Sequence, residues 1–310
     1  MRTFQRRPRL RFDLFVAGML LVSSSLGQNA GLIRVGAEVE LVADGFGFLE
    51  GPVRAFDGSL YFTDIDNNRI HRLSTNGSIS VALEPSNHAN GLTLDVDGSV
   101  LICEQSGQRI TRLQSRSNAA AVVSSYEGQP FNSPNDIWLH RNGGFFFTDP
   151  RYRYPEGEPT QPGEYVYWVS PDRSEAMAII TDIPKPNGII GTEDGAHLFV
   201  ASTELRKVFR YDINPDFTVS NRIEFADQGS DGMTMDERGN VYLTWAGKVS
   251  IYTPAGELIE EIEVPQNPAN VAFGGSDGRT LYMTARTGLY SVQMNVVSSR
   301  FAYSMLDRLN

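Results

Sequence analysis

Cysteine is almost missing from this chain. Among its 310 residues only Cys103 carries a thiol, so no disulfide can close within it. Cys103 ends the apolar run Val100-Leu101-Ile102-Cys103 and reads as a small buried strand residue. Basic residues are also short, with 27 Lys and Arg against 37 Asp and Glu and a net charge of −10. Five arginines against Asp13 give the first 27 residues +4, which leaves −14 for the rest. Such an acidic body argues against nucleic acid or an anionic membrane surface as a partner. No stretch carries the period of a long amphipathic helix. No Gly-x-Ser-x-Gly elbow occurs and no Ser-His pair stands out, so a serine nucleophile is not indicated.

What the chain has instead is one short phrase used six times. Each phrase is a small turn, an Asn, Asp or Glu, and then an apolar strand. The polar positions are Glu50, Asn90, Asn135, Asn187, Asp231 and Asn270, separated by 40, 45, 52, 44 and 39 residues. The third phrase, Phe131-Asn132-Ser133-Pro134-Asn135-Asp136-Ile137, is the longest spelled out. After each phrase comes a Gly-containing turn, as at Asp57-Gly58, Asp97-Gly98 or Asp194-Gly195, and a second apolar strand such as Phe145-Phe146-Phe147-Thr148-Asp149. A third strand is legible in most repeats, and an outer one in several. Four antiparallel strands per ~40–45 residues is the plan of a propeller blade. The sequence therefore predicts an all-β fold, a six-bladed β-propeller spanning residues 28–295, followed by a tail at 296–310. The last repeat lacks an outer strand. The alternating segment 36–46 is expected to supply it, closing the ring and covering an edge.

Residues 1–27 have the basic, apolar, small order of a secretory signal peptide. The apolar run Leu14–Val22 is shorter than the ~20 residues of a membrane-spanning helix. Export to the periplasm or the medium is expected, with no stable membrane insertion once the signal is removed. The third repeat carries an insert, Tyr152 to Gly163, rich in Pro, Glu and Gly. A long loop on a rigid array is expected to cover a binding face.

In a propeller the first strand of each blade lines the central channel, so the six phrase residues are expected to converge at one mouth. Glu50 and Asp231 are carboxylates and the others are amides. That set suits one hard divalent cation, calcium first, with magnesium, manganese or zinc as further candidates. The absence of His and Cys from it speaks against zinc and copper. Taken singly, Asn-Gly and Asp-Gly phrases are ordinary turn formers. Six in register at strand starts point to a site.

Several motifs then resemble those of the gluconolactonase, senescence-marker-protein and luciferin-regenerating-enzyme family, closest to its gluconolactonase-like branch. They include Leu49-Glu50-Gly51-Pro52, Asn90-Gly91-Leu92-Thr93-Leu94-Asp95 and Cys103-Glu104 with Arg109. Phe131 to Asp136, Phe147-Thr148-Asp149-Pro150-Arg151-Tyr152, Pro186-Asn187-Gly188, Ser230-Asp231-Gly232-Met233 and Ala272 to Tyr282 complete the series. The resemblance implies a propeller with one catalytic divalent metal at the channel mouth. Its ligands would be Glu50, Asn135, Asn187 and Asp231, with Asn90 nearer the substrate. It implies hydrolysis of lactones, often sugar lactones such as gluconolactone.

The expected mechanism is attack of water on a metal-polarised lactone carbonyl, with Asp231 taking the proton and Glu104 as the alternative base. Arg109, Arg151 and Asp149 are candidate substrate contacts, although solvated arginines and a turn-capping aspartate are the plainer readings. Asp136 is read as support for Asn135 or as a turn residue. Two alternatives stay open. One is a paraoxonase-like or phosphotriesterase-like esterase on the same metal. The other is a propeller that binds a ligand or protein without catalysis.

Overall fold

The strand Phe145–Asp149 explains why the repeats stand as blades rather than as one flat sheet. Phe145 and Phe147 enter a core shared with the preceding repeat, beside Leu101, Cys103 and Ile110. Phe146 enters the next core, with Ile189, Leu198 and Val200. Alternate side chains of a strand point to opposite faces, so a strand that is apolar on both must be sandwiched. All three phenylalanines are fully buried, each contributing about 1.5–3 kcal/mol relative to an exposed side chain.

The computed structural model describes residues 31–302. Within them six four-stranded antiparallel sheets form a six-bladed β-propeller. Almost all regular structure is strand, apart from one helical turn over residues 299–302. Blades 1 to 5 span residues 49–83, 89–123, 137–180, 186–226 and 233–263. Blade 6 is built from Pro268–Gly274, Thr280–Ala285 and Gly288–Gln293, and Glu40–Asp44 pairs with the last of these as a fourth strand. This outer strand is shorter than the segment 36–46 read as strand, because the chain turns at Gly36, whose φ is 78°. The segment read as an export signal, residues 1–27, lies outside the described residues. Val296 and Val297 at the start of the tail are buried against the propeller.

The innermost strands are irregular where the phrase residues sit. The pairing register slips between Glu50 and Val53, between Ala89 and Leu92, and between Pro186 and Ile189. A bulge of this kind re-aims side chains. In blades 3 and 5 the innermost strand is cut to Ile137–Leu139 and Met233–Met235. Asn135 and Asp231 precede these short strands, each donating its backbone N–H to a second-strand threonine carbonyl, Thr148 O at 2.8 Å and Thr244 O at 3.2 Å.

Buried threonines on the second strands tie the blades together at this level. The hydroxyl of Thr63 donates to Asn90 O at 3.0 Å, that of Thr148 to Asn187 O at 2.7 Å, and that of Thr244 to Ala269 O at 2.9 Å. Between blades 2 and 3 the bond runs from Gly91 N to Asn135 O at 2.7 Å. Only glycine permits that approach, since a Cβ on Gly91 would stand 2.6 Å from Asn135 O.

Replacing Gly91 by Ala should therefore force blades 2 and 3 apart and destabilise the protein by about 1–3 kcal/mol. Urea unfolding measures it. An unchanged midpoint would mean the innermost strands have slack at this point.

Candidate active site

Five of the six phrase residues meet. Glu50, Asn90, Asn135, Asn187 and Asp231 line one cavity of about 370 Å³. The first four are almost wholly buried, at 3–4% exposure, and Asp231, only partly buried, opens onto the cavity. Asn270 departs from the expected ring of six. Its amide lies on the wall of a second cavity of about 430 Å³, which Asp136 also lines, and it helps to steady the Glu50 carboxylate from that side.

Two carboxylates in one enclosed space disfavour each other's charge. Burial first, and then the charge of Asp231, hold the Glu50 carboxyl well above the usual range, against the backbone N–H of Gly51 that donates to Glu50 Oε2 at 3.0 Å. Burial pushes Asp231 up to about 6, while the Asn187 amide and the nearby Arg286 guanidinium pull it down. Asp136, buried between the backbone N–H groups of Ile137 and Ile189, is pushed up to about 7.

The donor set fits a hard cation. Asn187 Nδ2 donates to Asp231 Oδ1 at 2.8 Å and to the Tyr152 hydroxyl at 3.0 Å, which leaves Asn187 Oδ1 turned away from both partners. The Asn135 side chain is buried and has no hydrogen-bond partner among the described residues. Two carboxylates and two amide oxygens match the oxygen preference of calcium or magnesium. Among the described residues no three His, Cys, Asp or Glu side chains gather to hold an ion by themselves, so the asparagines would have to complete the shell.

Four residues expected at the site stand elsewhere. Glu104 is fully engaged behind the cavity wall, accepting from Asn87 Nδ2 at 2.9 Å, Arg109 Nε at 2.8 Å and the Thr111 hydroxyl at 2.8 Å. That removes Glu104 as a base and makes Arg109 its counter-ion. Asp149 accepts the backbone N–H groups of Asn132 and Ser133 at 2.8 and 2.7 Å, so it shapes the Phe131–Asn135 turn instead of touching substrate. Arg151 donates to Asn132 O and Gly157 O and braces the blade 3 insert. In sequence these residues adjoin the ring motifs. In space they bond to each other or to the neighbouring backbone instead of lining the cavity.

The insert does reach the mouth, as its length suggested. Tyr152, Arg153 and Tyr154 line the cavity. Tyr152 is hydrogen-bonded to Thr203 in blade 4 at 2.8 Å, Arg153 is ion-paired with Asp66 in blade 1, and Tyr154 stacks on His88 in blade 2 with ring centroids 3.9 Å apart. One loop is thus pinned to three other blades.

A second tier of wall residues was not anticipated. Ile65, Gln105, Thr203 and Arg286 each follow directly on the second strand of a blade, and Trp245 ends one. The signal was available, since the innermost strands' starts and the second strands' ends lie at the same mouth of an antiparallel sheet.

The chain belongs to the family described as the SMP-30/gluconolactonase/LRE-like region, whose model matches residues 48–287. A gluconolactonase of Zymomonas mobilis is 26% identical over 295 residues, covering 84% of this chain and 83% of that protein. A pentonolactonase of Haloferax volcanii is 30% identical over 256 residues, covering 77% and 81%. The solved structure of a gluconolactonase of Xanthomonas campestris superposes with a TM-score of 0.80 at 24% identity, covering 85% and 91%; that likeness is one of fold.

The pH dependence of the chelated protein follows from the raised carboxyls. Folded Glu50 and Asp231 bind protons more tightly than in the unfolded chain. Their contribution is complete below the ordinary carboxylate range and is lost as pH rises through about 6, the value for Asp231. With chelator present, the thermal midpoint should fall between pH 5 and pH 8, and Asp231→Asn should flatten that fall.

Proposed function

We propose that this member of the family is a metal-dependent lactone hydrolase whose natural substrate is a sugar lactone. The observation that carries the reading is the convergence of Glu50, Asn135, Asn187 and Asp231 on one cavity of about 370 Å³, a size suited to a small cyclic ester. The lactonase names of the relatives at 26% and 30% identity point the same way.

A divalent cation, calcium by the hardness of the donors, would be held by Glu50, Asn135, Asn187 and Asp231, and its chemistry would be polarisation of the lactone carbonyl. The chain's own groups supply the rest. Asp231 keeps one oxygen occupied by Asn187 and offers the other to a water molecule. As a carboxylate beside that water it accepts the proton as oxygen attacks the carbonyl carbon. The acyl–oxygen bond of the ring then breaks, the proton passes to the departing ring oxygen, and the product is an open hydroxy acid. Tyr152 fixes the Asn187 amide that aims Asp231. Phe48, Tyr154 and Trp245 supply the apolar walls that keep bulk water from the reacting centre. Residues 1–27 are read as an export signal, so the enzyme acts in the periplasm or outside the cell.

The experiment is a pH-stat assay on glucono-1,5-lactone with added calcium, magnesium or manganese, with and without chelator. Turnover should vanish with chelator and return with metal. Asp231→Asn should lower kcat by about 100- to 10,000-fold, the usual share of a general base. Glu104→Gln should leave kcat within a few-fold, because its carboxylate faces away from the cavity. No turnover of any lactone under any metal would leave a ligand-binding propeller as the better description.

A further inference from the structure

The second tier around the cavity differs from blade to blade. Ile65 presents hydrocarbon, Trp245 an indole and Arg286 a charge. Thr203 is polar, but its hydroxyl is shared with Tyr152 at 2.8 Å. Gln105 is the exception. It is only 5% exposed, it lines the cavity, and its side-chain amide has no hydrogen-bond partner among the described residues. Its backbone alone is engaged, donating to His88 O at 3.4 Å and accepting from Gln108 N at 3.2 Å. The Asn90 side chain, on the neighbouring strand of the same blade, is also buried without a partner among the described residues.

An amide offers two N–H donors and a carbonyl acceptor. Gln105 is not among the described side chains whose polar atoms are sealed from solvent without a partner, so its amide, unengaged by the protein, opens onto the cavity it lines. The isoleucine at the matching position of blade 1 offers no such groups. A ligand in the cavity is then the partner those groups can take. A neutral amide that can both donate and accept matches a hydroxyl group, which does the same, better than it matches a carboxylate or a hydrocarbon. Tyr154, which stacks on His88, lines the same cavity as Gln105, and the Gln105 backbone N–H donates to His88 O at 3.4 Å.

We infer that Gln105 is a specificity-determining residue which, on the blade 2 side of the cavity, hydrogen-bonds a ring hydroxyl of the substrate and selects polyhydroxylated lactones over unsubstituted ones. The inference rests on the lactonase reading and adds to it a selectivity and the side chain responsible. It also moves the reading of the substrate from Arg109, Asp149 and Arg151 to a residue that no motif singled out. The effect is one of binding a remote group, so it belongs in kcat/KM and not in the chemistry at the carbonyl.

The test compares glucono-1,5-lactone with δ-valerolactone, which has the same ring and no hydroxyls. The intact enzyme should prefer the hydroxylated lactone by at least about 100-fold in kcat/KM, because more than one buried polar group is then left unpaired by the plain ring. Gln105→Leu, close in volume, should lower kcat/KM for gluconolactone by about tenfold, the scale of one neutral hydrogen bond. It should leave valerolactone unchanged or slightly improved. A merely structural role would depress both substrates together, and that outcome overturns the inference. If the leucine variant does not fold, Gln105→Asn, which keeps the amide but shortens it, and the wild-type preference alone still decide. Equal turnover of the two lactones by the intact enzyme overturns the inference while leaving the lactonase reading in place. No turnover of either, with metal present, overturns both.

Discussion

Two carboxylates that cannot both be charged without help govern this molecule. Glu50 comes from blade 1 and Asp231 from the start of blade 5, and the ring of blades brings them to one cavity of about 370 Å³. Burial raises the proton affinity of both, and the charge of Asp231 raises that of Glu50 further. Their proximity persists because neither can move away. Glu50 sits at a bulge with its carboxylate accepting the Gly51 N–H, and Asp231 is gripped by Asn187 and by its own backbone bond to Thr244. A fold that holds two like charges together is prepared for something positive. Protons serve at low pH, and a divalent cation is the occupant that two carboxylates and two amide oxygens would suit at neutral pH.

The scaffold that enforces this is made of modest parts. Period-two burial lets each strand feed two inter-blade cores, so every blade is locked by both neighbours. Buried threonine hydroxyls carry the contact from one blade's second strand to the next blade's first, and Gly91 permits backbones to meet where a side chain would separate them. The same motif that shapes the backbone thus aims the functional side chain. This explains why the phrases are short and why their polar residue precedes such close contacts. The residues that differ from blade to blade around the cavity are those of the second tier and the blade 3 insert.

Much of this was legible in the residues. Repeated Asn, Asp and Glu at nearly constant spacing revealed the number of blades, and five of the six groups expected to converge line the cavity. The composition of the 152–163 insert marked it as a cover. Three things escaped for identifiable reasons. Asn270 shares the phrase but belongs to the other cavity, because register within one bulge is not visible in a string of letters. Glu104, Arg109, Asp149 and Arg151 lie within a few residues of site motifs, and proximity in sequence says nothing about where a side chain points or what it bonds to. Gln105 was overlooked because no motif marks it. A cavity-lining amide that the protein itself leaves unengaged is recognisable only when every neighbour is known.

The most direct test of the account is calorimetric titration of calcium into chelated protein at pH 6, repeated in two buffers of different ionisation enthalpy. If Glu50 and Asp231 share one site that protons and a cation compete for, calcium should bind one per chain with release of protons, and Asp231→Asn should weaken it strongly. Absence of binding by calcium, magnesium and manganese alike would contradict the account. So would binding without proton release, for the two carboxyls would then not be where the cation goes.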